Sequence, residues 1–386
     1  MNHTDEDCAG YDPYSVSRFC LISFTCVIGI FGFLANLVLF LVFLRLSKKD
    51  PGRTSHLYLT NLSTLDATAC FCYCILFGLD AQAFYFRLEI LFHIYFQLLE
   101  GAFTIGRLVH MAIPYFILLA TFEKWMFTFQ NRQLARPISK DRTRFVATFT
   151  VWAVVLTFRL PNIWAYKVEW FPNCTDLFGS KQLYPTQLSS EDTFVFFDFY
   201  VANALEVFLP FGLLLALNFG ILRNVKRNHA TQLALKETAN NLIVLTRVSN
   251  GVRNDSKPED LNLASSSLLQ DCSMECLNDS EEFLEKRKRA KETTASILVL
   301  VTGYLLCIAP SFVLTVLEHF YASILVDEHG VSRDYYLYWG DLVSTLFVIN
   351  SFVNPFIFYS CNRRVRNEVK NLLFGGRFKP RLVLRQ

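Results

Sequence analysis

The sequence predicts an all-α membrane protein: a bundle of seven membrane-spanning helices followed by a short amphipathic helix near the C-terminal end. Three observations carry that prediction. Apolar residues come in seven long blocks, Lys and Arg gather on one side of those blocks, and the few polar residues at depth are isolated enough to need one another.

The chain has 386 residues, 52% of them hydrophobic, with 38 Phe and a mean hydropathy of +0.29. That length would suit two or three soluble domains, but helices apolar on all faces belong in lipid or in a very large core. The blocks lie near 19–45, 56–80, 97–123, 143–165, 193–222, 293–318 and 337–360. At ~1.5 Å per residue each is long enough to cross ~30 Å of hydrocarbon. A soluble helical protein would show polar stripes along these segments, and they are nearly absent.

Orientation follows from the charges. Thirty of the 37 Lys and Arg residues fall in 45–53, 124–144, 223–291 and 363–385, all on one side of the membrane. The positive-inside rule makes that side cytoplasmic. Residues 1–18 are then an extracellular N-terminus. Residues 19–360 form the membrane domain with a long cytoplasmic loop at 223–290, and 361–386 form a cytoplasmic tail. The expected location is the plasma membrane. The net charge of +3 gives no reason to expect nucleic acid as a partner. Residues 1–18 are polar and acidic, without a cleavable leader pattern. The sequons at Asn2 and Asn173 face outward as glycosylation candidates, whereas those at Asn61, Asn254 and Asn278 are chance matches by location.

The middle of the long loop, "NGVRNDSKPEDLNLASSS", reads as disordered, and "EEFLEKRKRAKETT" as a charged helical extension of the sixth span. In "CNRRVRNEVKNLLF" the apolar Val365, Val369, Leu372 and Leu373 share one helical face opposite Arg and Lys. That pattern suits a helix lying on the inner bilayer surface.

An ionisable group at mid-span costs roughly 2.5–3.5 kcal/mol, so each needs a partner or a use. Asp66 lies in the second span, Asn36 in the first, and Asn350 and Asn354 in the seventh. Packed together they would satisfy each other and hold three helices in register, as a structural network, a switch or a cation site. Pro161, Pro210, Pro310 and Pro355 bend the later helices, either as packing features or as hinges.

Asn36, "NLSTLD" with Asn61 and Asp66, a charged triplet closing the third span, Trp152, Pro210, "YLLCIAP" and "NPFIFY" together resemble a rhodopsin-like G-protein-coupled receptor over residues 19 to 374. Within that family, "SFVNPFIFYSCNRRVR" and the loop shapes are most similar to invertebrate neuropeptide receptors related to FMRFamide receptors. The resemblance implies a receptor that passes an extracellular ligand's signal to a heterotrimeric G protein, and not an enzyme. It also places an activation switch on Asn36, Asp66, Glu123, Lys124, Trp125, Tyr304, Cys307, Pro310, Asn350, Asn354 and Pro355.

The departures from the family are specific. Asp-Arg-Tyr becomes Glu123-Lys124-Trp125, which keeps the charges but loses the planar fork of Arg. The family's acid at the foot of the sixth span falls near Ala290, so the usual salt bridge is not expected. Ile308 stands where the family has Trp. Phe358 stands where it has Tyr, with Tyr359 displaced by ~100° around the helix. Asn218 also replaces a Tyr. Ile113 replaces a sodium-ligating Ser, although Asp66, Asn350 and Asn354 remain; sodium is the one ion the resemblance suggests, and no other cofactor is implied. The family's disulfide joins the third span to the second extracellular loop. Here Cys174 suits the loop, but no Cys occurs from 75 to 173, leaving Cys8 or Cys20 as a partner, or a free thiol. Cys272 and Cys276 lack further ligands for a metal.

By the resemblance, ligand binds between the outer halves of spans three, five, six and seven. The polar residues at those depths are Arg107, His110, Arg159 and Glu206, with Glu318, His319 and Asp341 nearer the rim. Glu206 could instead form a buried bridge with Arg107 or Arg159. Gly106 stands where an amine-binding acid would be, which disfavours a monoamine. Acids on the outer surface would attract a cationic ligand such as an Arg-Phe-amide peptide. The rival readings are a chemosensory receptor for small molecules and an atypical receptor that does not couple. A transporter would show internal symmetry, and an intramembrane enzyme would need catalytic groups clustered around Asp66; neither pattern is present.

Overall fold

The structure, a computed structural model, describes residues 8, 14–49, 56–128, 141–224, 226–227, 295–318, 320, 334–373 and 375. Among them seven helices are long and apolar enough to cross a membrane. They are α1 (Val16–Lys49), α2 (Leu57–Tyr85), α3 (Glu89–Thr128), α4 (Asp141–Ala165), α5 (Asp192–Asn224), α6 (Ala295–Glu318) and α7 (Asp334–Cys361). An eighth helix, α8 (Arg363–Leu373), follows, and two antiparallel strands, β1 (Tyr166–Trp170) and β2 (Lys181–Pro185), form a hairpin between α4 and α5.

Most helix ends agree with the apolar blocks to within a few residues. The third span is the exception: it starts at Glu89 instead of near 97 and runs for 40 residues. Polar His93, Gln97 and Glu100 interrupt the apolar run without breaking the helix. The projecting part meets the hairpin, where the Glu100 carboxylate accepts a hydrogen bond from the Val168 backbone amide at 2.7 Å. Helix α3 also contains Pro114, a proline the reading of the later kinks did not include. Residues 228–290 of the long loop, Cys272 and Cys276 among them, and His319, Asn2, Asn254 and Asn278 lie outside the described residues.

Helix α3 is the central post. Its Met111, Ile113, Phe116 and Ile117 are buried with Leu62 of α2, Val155 of α4, Leu214 of α5, Tyr304 of α6 and Phe358 of α7. Large apolar side chains such as Phe24, Phe31, Phe71, Phe149, Phe219 and Leu306 project outward, as an apolar solvent requires. Helices α1, α2 and α7 pack along one another. Helices α5 and α6 meet through Phe312, whose ring stacks on Phe211 and meets Phe208 edge-on. Asn61, a chance sequon, accepts a hydrogen bond from the Trp152 indole and ties α2 to α4. Helix α8 anchors through Val365, fully buried, and an ion pair between Glu368 and Lys49.

Pro210 leaves visible compensation. A π-helical stretch, Ala204–Phe208, precedes Pro210, and there the Tyr115 hydroxyl donates to the Leu205 carbonyl at 2.7 Å. The Pro310 carbonyl accepts from the Trp339 indole at 3.1 Å, which ties α6 to α7 at the proline.

Close approach of α1 to α2 depends on Gly32. A Cβ added there would lie 2.9 Å from Cys70 Sγ and 3.4 Å from the Phe352 backbone. Gly32→Ala is expected to cost about 1–3 kcal/mol by overpacking, read as a lower melting temperature of the detergent-solubilised protein.

Candidate functional site

The bundle holds a cavity of about 730 Å³ at the end that carries the β-hairpin. Its wall comes from α2 (Tyr73, Phe77, Asp80, Phe84), α3 (Tyr95, Phe96, Phe103, Arg107, His110) and α7 (Val343, Ser344, Phe347), with the hairpin region above. Arg159 of α4 and Asn203 and Glu206 of α5 complete it. This corrects the expectation that α6 lines the site: among the described residues it contributes none. Phe312 fills the space toward α5 and α6, whereas small Ala69, Cys72 and Gly106 open the space toward α2.

Four expected site residues, Arg107, His110, Arg159 and Glu206, do come together, joined by Asp198, which the sequence reading missed. Asp198 accepts from Arg107 at 3.1 Å and from Arg159 at 2.8 Å. Glu206 accepts from Arg159 and pairs with His110 Nδ1. Each acid thus bridges two basic side chains, and the chain of bonds crosses α3, α4 and α5. Arg107 bonds Asp198 and not Glu206, while Arg159, 1% exposed, meets both acids. The His110 ring also packs on Phe347 of α7, centroids 4.3 Å apart.

Asp341 and Glu318 stand elsewhere. Asp341 is paired with Arg18 of α1 at 2.6 Å, and Glu318 accepts from the Tyr336 hydroxyl at 2.8 Å. Both link helices and neither lines the cavity.

Below His110, a small cavity of about 10 Å³ is lined by Tyr304, Cys307, Ile308, Ser311 and Asn350, where the family's Trp would project. Asn350 therefore faces this space and does not join the Asp66 network, which corrects the expected grouping. Asp66 accepts from Ser351 at 2.9 Å and Asn354 at 2.8 Å, and Asn36 donates to the Ser351 carbonyl at 2.8 Å. Ser351, another residue the sequence did not mark, is the shared link. For the sodium that the resemblance suggests, buried Ile113 supplies no oxygen ligand beside Asp66. Pro355 lies within α7 just past Asn354. Phe358 is buried edge-on against Phe43, and Tyr359 is exposed.

At the opposite end, the triplet Glu123-Lys124-Trp125 is locked on both flanks. Glu123 Oε1 accepts from Arg144 Nη2 of α4 at 2.8 Å, both side chains nearly fully buried. The Trp125 indole lies against Gly220 of α5, where an added Cβ would be 2.7 Å from Nε1. Lys124, between them, is half-buried.

Cys174 is bonded to Cys8, and Cys20 is a free, exposed thiol. Asn173 beside the bridge is exposed.

Comparison with known proteins agrees with this geometry. Residues 35–358 match the model of the 7 transmembrane receptor (rhodopsin family), and the chain belongs to that family. It is a multi-pass membrane receptor. It is similar to human proteinase-activated receptor 2, at 35% identity over 89 residues, 23% of this chain. The match spans 20% of that receptor's length.

Removing a partner from a buried ion pair strands the other charge. Arg159→Ala is expected to cost about 3–5 kcal/mol, measured as lost thermal stability in detergent, because Asp198 and Glu206 both lose their shared cation. Arg144→Ala is expected to destabilise likewise through Glu123, with Arg144→Lys retaining part of the loss.

Proposed function

We propose that this receptor transduces an extracellular neuropeptide of the Arg-Phe-amide type to a heterotrimeric G protein, with its N-terminus outside and its C-terminus in the cytosol. The observation that carries the reading is the cavity of about 730 Å³ with its aromatic wall and converging charges. Such a volume suits a compact ligand or the end of a peptide. The aromatic lining offers faces for Phe side chains, and the charged groups offer partners for polar ends. Orientation rests on the sequence: thirty of the 37 Lys and Arg residues fall in the segments that follow the first, third, fifth and seventh spans, and the third of those spans ends in the Glu123-Lys124-Trp125 triplet. Proteinase-activated receptor 2 resembles this chain over too short a stretch to transfer a mode of activation.

Ligand binding shifts an equilibrium between two packings of the helices. In the proposed mechanism the signal leaves the cavity through His110 and Phe347, and α6 moves about Pro310. The Glu123–Arg144 pair holds the foot of α3 against α4, leaving Lys124 at the mouth of a cleft for the G protein. A small-molecule chemosensory receptor is the second reading, favoured by the same volume, which lies in the range of small-ligand sites.

The test is ligand-stimulated nucleotide exchange in cells across a broad peptide panel that includes Arg-Phe-amides. Surface expression without coupling to any member of that panel overturns the peptide reading. Lys124→Arg is expected to preserve or raise coupling, whereas Lys124→Ala abolishes it at unchanged surface expression; normal signalling by Lys124→Ala reduces the triplet to a membrane boundary.

A further inference from the structure

The carboxylates inside the upper half of the bundle have partners that differ in charge. Asp198 and Glu206 meet Arg and His, and Asp341 meets Arg18. Asp80, on the α2 wall of the cavity, has no ion-pair partner among the described residues. Its bonds come from neutral phenols: the Tyr14 hydroxyl donates to Oδ2, and Tyr95 of α3 also reaches it. Arg18 stands near, but its guanidinium is committed to Asp341 through Nε at 2.6 Å and Nη2 at 3.3 Å. Around Asp80 the cavity wall is aromatic, with Phe77, Phe84, Phe96 and Phe178.

A carboxylate in apolar surroundings with only neutral donors is far from its best state, because a cation supplies both a hydrogen bond and an opposite charge. The aromatic rings add favourable faces for that cation. Tyr14 belongs to the segment just before α1, which is fastened separately: Ser15 and Ser17 contact Tyr338, and Arg18 holds Asp341. Withdrawal of the Tyr14 hydroxyl therefore leaves the start of α1 attached.

We propose that Asp80 is a cation-binding subsite of the cavity, occupied in this structure by the Tyr14 hydroxyl, and that the ligand group it takes is a guanidinium or ammonium. The inference rests on the cavity being the ligand site and adds which wall reads the ligand's positive charge. It puts the cation on the α2 wall and not on Glu206, the α5 acid that the sequence offered. Tyr14 then acts as a competitor built into the chain, so its removal strengthens cation binding while removal of Asp80's charge weakens it.

The test requires no known ligand. A cysteine introduced at Leu76, in a background where Cys20→Ser and Cys72→Ala remove the exposed thiol and the cavity thiol, reports on the subsite in receptor at the cell surface, with that background alone as the control. Its modification rate is compared for cationic 2-aminoethyl and anionic 2-sulfonatoethyl methanethiosulfonate. Adding Asp80→Asn is expected to lower the cation-to-anion rate ratio about fivefold to tenfold, the scale of one partly screened charge pair. Adding Tyr14→Phe is expected to raise the cationic rate at least about twofold, since the donor that competes for the carboxylate is gone. Should Asp80→Asn fail to reach the surface, protection of the parent reporter decides: millimolar benzamidine slows cationic modification, and the neutral isostere benzamide does not. A ratio unmoved by Asp80→Asn, or equal protection by the two compounds, overturns the subsite. An unmoved rate in Tyr14→Phe overturns the competitor role and makes Tyr14 a structural fastening. None of these rates depends on coupling, so a receptor silent toward every peptide still gives the answer.

Discussion

Hydrocarbon offers no water to a polar group, and the arrangement of this bundle follows from that constraint. Arg107, Arg159, His110, Asp198 and Glu206 cannot be carried by separate helices without severe penalty, yet as a bonded series each acid neutralises what two helices bring. The series joins α3, α4 and α5 into one side of the bundle. Asp66, Ser351, Asn354 and Asn36 do the same for α1, α2 and α7. Helix α6 belongs to neither network in its upper half. It is held by rings around Phe312, by Tyr304 in the core and by hydrogen bonds from neutral donors: Trp339 to Pro310, Tyr336 to Glu318 and Asn218 to Thr302. Contacts of that kind can be exchanged at lower cost than a buried ion pair, which supports the proposed movement of α6.

The two ends of α3 therefore play different parts. The upper end carries side chains that face a cavity, and the lower end carries Glu123 and Trp125 wedged against α4 and α5. Between them lies the small space beneath His110, left by Ile308. An aromatic side chain there would couple the cavity directly to α6. With Ile308 there, His110 packs on Phe347 of α7, the contact through which the proposed mechanism takes its signal.

Much of the framework was legible in the sequence, because span length and the exclusion of charge from lipid are local properties. Arg107, Arg159 and Glu206 announced themselves as charges inside apolar blocks, and Asp66 with Asn354 did so by depth. Their partners were harder to see. Arg144 looked like one more basic residue at a membrane edge, and Asp198 and Asp80 lie near span ends where an acid needs no explanation. Ser351 is small and unremarked beside Asn350, yet its hydroxyl and carbonyl link two helices. Which charge meets which depends on the rotation and offset of helices far apart in sequence, and hydropathy carries no such information. The early start of α3 was missed for a related reason: Glu89 and His93 made its first two turns look like part of a loop.

The bond between Cys8 and Cys174 has a mechanical side. In the family's usual arrangement the hairpin is tied covalently to α3, so it follows the centre of the bundle. Here the covalent tie runs to the chain just ahead of α1, and the hairpin meets α3 only through contacts such as Glu100 with Val168. Tension applied to the chain ahead of Cys8 would travel into the roof of the cavity and bypass α3. The roof and the bundle beneath it are thus suspended from different points.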